Sequence, residues 1–86
     1  MLESIVKKYT KNITKENIIE FSLKQNVNLT DYEVEIIYDQ IKNNIDNILK
    51  NPEDELLKIK DKLSNTTYLK IEELYMFYKN KYQDYL

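Results

Sequence analysis

The chain predicts an all-α fold: a compact bundle of four to five short helices in a single domain over residues 1–86. Three observations carry this. Apolar residues recur at three- and four-residue spacings along most of the sequence. Helix-start signals stand at Thr14, Thr30, Asn51-Pro52 and Ser64. No stretch alternates polar and apolar residues over strand length, and a chain without Gly lacks the usual tight hairpin turn.

The expected helices cover about 2–10, 14–25, 30–43, 52–63 and 65–84. Leu2, Ile5, Val6 and Tyr9 form the first apolar stripe. A helix this short is marginal alone and needs the rest of the chain to dock on. Thr14 caps the second helix, with Ile13 and Ile18 at the spacing of a hydrophobic staple. Ile18, Phe21 and Leu23, with Ile19 nearby, give it an apolar side. It ends near Gln25, where Asn26 can adopt a left-handed conformation at low cost. Val27 then points inward and ties the connector down.

The third helix is the longest. Thr30 and Glu33 form a capping box, and Leu29 and Val34 a second staple. Val34, Ile37, Tyr38, Ile41, Ile45 and Ile48 keep one face apolar. Asn43 and Asn44 are weak helix formers, and Asn substitutes for Gly at a left-handed helix end. The stripe through Ile45 and Ile48 would suit a single helix continuing to Leu49, but the Asn pair favours a break near Asn43, with Ile45, Ile48 and Leu49 anchoring a compact connector. Asn51 is the expected cap of the fourth helix, with Pro52 at its first position and Glu53, Asp54 and Glu55 in its first turn. Leu56, Leu57, Ile59 and Leu63 form its apolar side. Ser64 opens the last helix, with Leu63 and Tyr68 as its staple. Tyr68, Ile71, Tyr75, Tyr78, Tyr82 and Tyr85 then alternate spacings of three and four, a heptad seam.

Composition narrows the functional classes. A chain of 86 residues has little interior in which to desolvate a substrate. It holds no Gly, Cys, His, Trp, Ala or Arg, and all 13 basic residues are Lys. Ile, Lys, Asn and Tyr fill about half of it. Their codons are AT-rich, so the bias reads first as the signature of an AT-rich genome. Without His, general acid–base catalysis at neutral pH loses its commonest agent. Without Gly, close backbone cradling of phosphate is disfavoured. No enzyme activity and no cofactor are expected. Asp31, Glu33, Glu35 and Asp39 mimic the first positions of a calcium loop, but Ile36 stands where Gly is required and Lys42 where a bidentate Glu is required. They read as a solvated acidic face, and Glu53-Asp54-Glu55 as surface charge. No metal site is expected. The N-terminus has no signal-peptide core, and no window approaches a membrane span. The expected location is cytoplasmic.

Residues 14–25 followed by the helix from Thr30 could be drawn as helix-turn-helix. The reading helix would then carry four acids and no base in its first ten positions, so phosphates would repel it. The absence of Arg removes the commonest guanine contact. The basic concentration is Lys7, Lys8, Lys11 and Lys15, and residues 1–28 carry five Lys against three Glu. Nucleic-acid association through these lysines is the second reading. The first is contact with another protein, or with a second copy of this chain through the last helix. Tyr is enriched at interface hot spots, and Tyr75, Tyr78, Tyr82 and Tyr85 are the candidate interaction surface.

The order and spacing of these signals resemble a small family, the YqfT-like proteins of low-GC Gram-positive bacteria. The residues that carry the resemblance are Ile13-Thr14 with Glu16, Asn26 to Thr30, Ile41 to Asn44, Leu56-Leu57-Lys58 and the aromatic Phe77. The family tends to carry Gly where this chain has Asn43 or Asn44. The resemblance implies an all-helical fold and a break at the Asn pair. It implies no activity and transfers no functional residues.

Overall fold

The structure is a computed structural model. It describes the backbone of residues 7, 8 and 10–82, and side chains as far as Leu74. Four α-helices follow in order: α1 (Lys15–Lys24), α2 (Asp31–Lys50), α3 (Pro52–Ile59) and α4 (Asn65–Tyr82), with a 3-10 turn over Lys60–Lys62. The described residues contain no strand. The expected all-α bundle is what the chain forms. Of the first expected helix, only Lys7, Lys8 and Thr10 lie in the described helical residues, continued by Lys11.

Local signals set the helix ends. Thr14 Oγ1 accepts the Asn17 N–H at 3.1 Å, and Asn17 Oδ1 accepts the Thr14 N–H at 3.0 Å. This is a complete capping box with Asn in the place usual for Glu. Asn26 has φ 61°, the left-handed region. The Val27 N–H reaches Ser22 O at 2.9 Å and the Asn26 N–H reaches Leu23 O at 3.0 Å, which completes a Schellman motif. Val27 is buried, as that motif's apolar contact requires. Thr30 and Glu33 cap α2 reciprocally, both bonds at 3.1 Å. Ser64 Oγ accepts the Thr67 N–H at 3.2 Å and opens α4.

The Asn pair behaves differently from the expected end at Asn43. Asn44 leaves helical geometry at φ −130°, ψ 24°, and α2 then resumes to Lys50. Because Asn44 stays at negative φ, the chain bends without being turned out of the helix. Ile45, Ile48 and Leu49 do anchor this second half, Ile48 being buried, but in helical turns rather than a connector. Asn51 also departs from expectation. It precedes Pro52 at the start of α3, yet its side chain makes no cap bond and instead donates to Asn47 Oδ1 at 3.4 Å.

The core lies where α2, α3 and α4 meet. Leu56, Ile59, Leu63 and Tyr68 are buried together, with Ile36, Ile37 and Ile71 packed against them. Leu63 and Tyr68 thus meet as the staple spacing predicts. Leu57 does not join this core; it stands 57% exposed. On α1 only Ile18 and Ser22 are buried.

Two acids read as surface charge are interior. Glu55 is 1% exposed and Glu33 4% exposed. Each is held by one local donor and by others that only tertiary folding brings to it. Glu33 Oε1 takes the Thr30 N–H, and Oε2 takes the Ser64 N–H at 2.8 Å. Glu55 accepts from Lys58 Nζ at 2.6 Å, from Gln40 Nε2 at 3.3 Å and from Asn47 Nδ2. Gln40 also donates to the Glu55 carbonyl. Gln40 and Asn47 lie on opposite sides of the bend at Asn44, so one carboxylate holds both arms of α2.

Candidate functional site

The expected interaction residues Tyr75, Tyr78 and Tyr82 belong to the backbone of α4, and their side chains lie outside the described residues, as does Tyr85 entirely. The structure therefore does not place the tyrosine seam. It places two other apolar features, both involving α1.

The first is the outer face of α1. Ile19 and Leu23 sit one turn apart and stand 39% and 54% exposed. Residues at this spacing are neighbours on a helix surface. The face arises because α1 has apolar residues around more of its circumference than its single buried stripe, Ile18 and Ser22, can dock.

The second is a cleft of about 360 Å³ between α1, α2 and α4. Ile18, Val27 and Ile59 form its floor; Ile41, Ile71 and Leu74 contribute to its walls. Phe21, 45% exposed, stands on the α1 side. The polar groups that reach the cleft from the interior are already engaged. Ser22 Oγ donates to Ile19 O at 2.8 Å, Gln40 donates to Glu55, and Thr67 Oγ1 accepts from Ser64 Oγ at 2.9 Å. Among the described residues, no buried side-chain polar atom lacks a partner. Among the described residues of the lining Lys70 is the one that is charged, and its Nζ lies 3.7 Å from Glu73 Oε1.

The electrostatics of the N-terminal lysines are set by α2. Lys7 Nζ lies 2.7 Å from Asp46 Oδ1, Lys15 pairs with Glu35, and Lys42 Nζ donates to Lys11 O. The hydrogen bond from Lys7 holds the Asp46 carboxyl below its usual range, and the one to Glu35 raises the Lys15 ammonium. Lys15 and Lys42 also lie over the Tyr38 ring at 5.4 and 5.6 Å. Two of the four lysines expected to form a basic patch thus face acids of α2.

For Glu33, burial pushes the carboxyl up. The backbone N–H groups of Ser64 and Thr30 and the hydroxyls of Thr67 and Ser64 outweigh it, and the net shift is downward. Glu55 is lowered by its hydrogen bonds from Lys58 and Asn47 against the cost of burial. Neither carboxylate lines the cleft between α1, α2 and α4, and both act within the fold. Among the described residues, no three acids, His or Cys are grouped to hold a metal ion, and no helix is long and apolar enough to cross a membrane.

In the sequence Ile18, Phe21 and Leu23, with Ile19 nearby, form one apolar side; α1 buries only Ile18 of them, because helical spacing does not say how much of a stripe finds a neighbour to dock on. No family model, curated protein or solved structure matches the chain.

Proposed function

We propose that this chain is a small protein-binding accessory or regulator, not an enzyme, that works in the cytoplasm through helix–helix contacts. The observation that supports this most is the outer face of α1, where Ile19 and Leu23 present adjacent bulky apolar side chains to water. Exposed apolar pairs on a small domain mark contact surfaces more often than scattered single residues do. The tyrosine seam of the sequence, Tyr75, Tyr78, Tyr82 and Tyr85, is the second contact surface in this reading, available to a partner or to a second copy. The pairing of Lys7 and Lys15 with acids of α2 favours protein contact over nucleic-acid association.

The test compares three forms of the chain: unaltered, Ile19→Ser with Leu23→Ser, and Tyr82→Ser with Tyr85→Ser. Each is checked for an unchanged melting transition, then used for capture from the native host and for sedimentation over a concentration series. A captured protein, or a dimer, that disappears with either pair of substitutions supports the reading. A monomer whose captured set is the same for all three forms refutes it.

A further inference from the structure

We propose that the cleft between α1, α2 and α4 binds a medium- to long-chain fatty carboxylate, with the acyl chain along the aliphatic floor and the carboxylate at Lys70. The cleft's volume of about 360 Å³ falls within the ~300–1,000 Å³ typical of small-molecule sites. It is more than twice the ~150 Å³ of an engineered apolar cavity that stays dry and binds benzene.

Shape and polarity select the class. Ile18, Val27 and Ile59 line the cleft and are nevertheless almost closed to solvent. The base is therefore made of buried aliphatic side chains, which suits an acyl chain. Ser22, Gln40 and Thr67 also reach the cleft, but their hydrogen bonds are made within the protein. A sugar, a nucleotide or a peptide backbone would bury polar groups there without partners, at a large cost. An occupant must be apolar along its length.

Lys70 supplies the head-group contact. It is the charged residue among the described residues of the lining, and its side chain is 29% exposed. At 3.7 Å from Glu73 its ammonium is in ion-pair range but beyond hydrogen-bond length, so it keeps donors for a carboxylate at the lip. Asn17 and Gln25 add amide groups at the α1 side. A cation beside an apolar cleft is complementary to an amphiphile with an anionic head. This site is separate from the outer face of α1, and its occupancy does not depend on the protein-contact reading.

The experiment titrates octanoate, decanoate, dodecanoate and methyl dodecanoate, all below their aggregation range, into the full chain. Calorimetry gives affinity, and amide chemical shifts give location. The expected result is saturable one-to-one binding with shifts at α1, α2 and α4 around the cleft. Affinity rises about fourfold per added methylene, and Lys70→Met weakens dodecanoate about tenfold while sparing the methyl ester. The comparison of dodecanoate with its methyl ester on the unaltered chain tests the head-group assignment even if Lys70→Met folds poorly. No saturable binding, an affinity independent of chain length, equal affinity for acid and ester, or shifts spread over the whole surface would each overturn the proposal.

Discussion

The Glu33 carboxylate joins the starts of two helices: Oε1 accepts the Thr30 N–H at 3.1 Å and Oε2 accepts the Ser64 N–H at 2.8 Å. Thr30 is the cap of α2 and Ser64 the cap of α4. A single side chain thereby satisfies one backbone donor beside each helix and fixes their relative position.

Replacing Glu33 by Ala removes a helix cap partner and a buried charged acceptor together. An ordinary cap contributes about 1 kcal/mol, and a hydrogen bond to a charged group about 1.5–3 kcal/mol. Glu33→Ala is expected to cost about 2–3 kcal/mol, a fall of roughly 10 °C or more in melting temperature for a domain of this size. Thr30→Ala, which loses only the cap, is expected to cost about 1 kcal/mol. Thermal unfolding followed by circular dichroism compares the two. Equal losses would show that the reach to Ser64 contributes nothing.

Glu55 holds the two arms of α2 across the bend at Asn44, through Gln40 on one side and Asn47 on the other. Glu55→Ala takes the carboxylate acceptor from Asn47 and Lys58 and leaves Gln40 only the backbone carbonyl of residue 55. Hydrogen bonds to a charged group contribute about 1.5–3 kcal/mol each, so their loss takes a large part of the stability available to a small domain. Asn47→Ala leaves the carboxylate two of its donors and is expected to cost about 1–2 kcal/mol. Hydrogen exchange provides the second readout. Amides of residues 45–50 are expected to lose protection in Asn47→Ala before those of the core around Leu56 and Tyr68. Uniform loss across the chain would mean that the second arm of α2 is not held separately.

These two acids also mark the boundary of what the sequence makes legible. Thr30 with Glu33, Ser64 with Thr67, and Asn26 after α1 are relations over three or four residues, and spacing alone exposes them. The Glu33–Ser64 and Gln40–Glu55 contacts span 31 and 15 residues. Carboxylates are solvated by default, and nothing local distinguishes Glu55 from Glu53 or Asp54 beside it. The bend at Asn44 shows both sides. Weak helix formers gave its position, but whether the chain would turn away or resume depended on Asn47 finding Glu55. The cleft was illegible for a similar reason. Ile18, Phe21, Ile37, Ile41, Ile59 and Ile71 stand in the sequence as parts of helix stripes, and spacing does not tell whether helices close over a stripe or leave it open.

Asn26 tests the end of α1. At φ 61° a side chain with a β-carbon is strained, Asn less than most. Asn26→Gly keeps the Schellman bonds from Val27 and Asn26 and relieves that strain, so it is expected to leave stability unchanged or raise it by up to about 1 kcal/mol. Asn26→Ala is expected to lower it by about 1 kcal/mol. The urea midpoint reads both, and a neutral Asn26→Ala would show that the left-handed turn does not constrain the fold.

Acid is expected to destabilise the fold through the same buried carboxylates. The folded-state pKa values of Glu33 and Glu55 are both lowered, Glu33 by its backbone and hydroxyl donors against burial, Glu55 first by Lys58 and Asn47. A depressed acid contributes stability that is fully present above the unfolded value, ~4.3 for Glu. That stability is lost as pH falls through the folded value below it. No His is present to titrate near neutrality, so the urea midpoint should hold level from about pH 8 to about pH 5 and fall steeply below about pH 4. Glu33→Gln and Glu55→Gln remove the titrating groups while keeping their volume. Each variant starts less stable at neutral pH, and the gap to the unaltered chain should close as the pH is lowered. A gap that stays constant down to pH 3 would mean that neither carboxylate is the acid-sensitive group, and would assign the loss to exposed pairs such as Lys7 with Asp46.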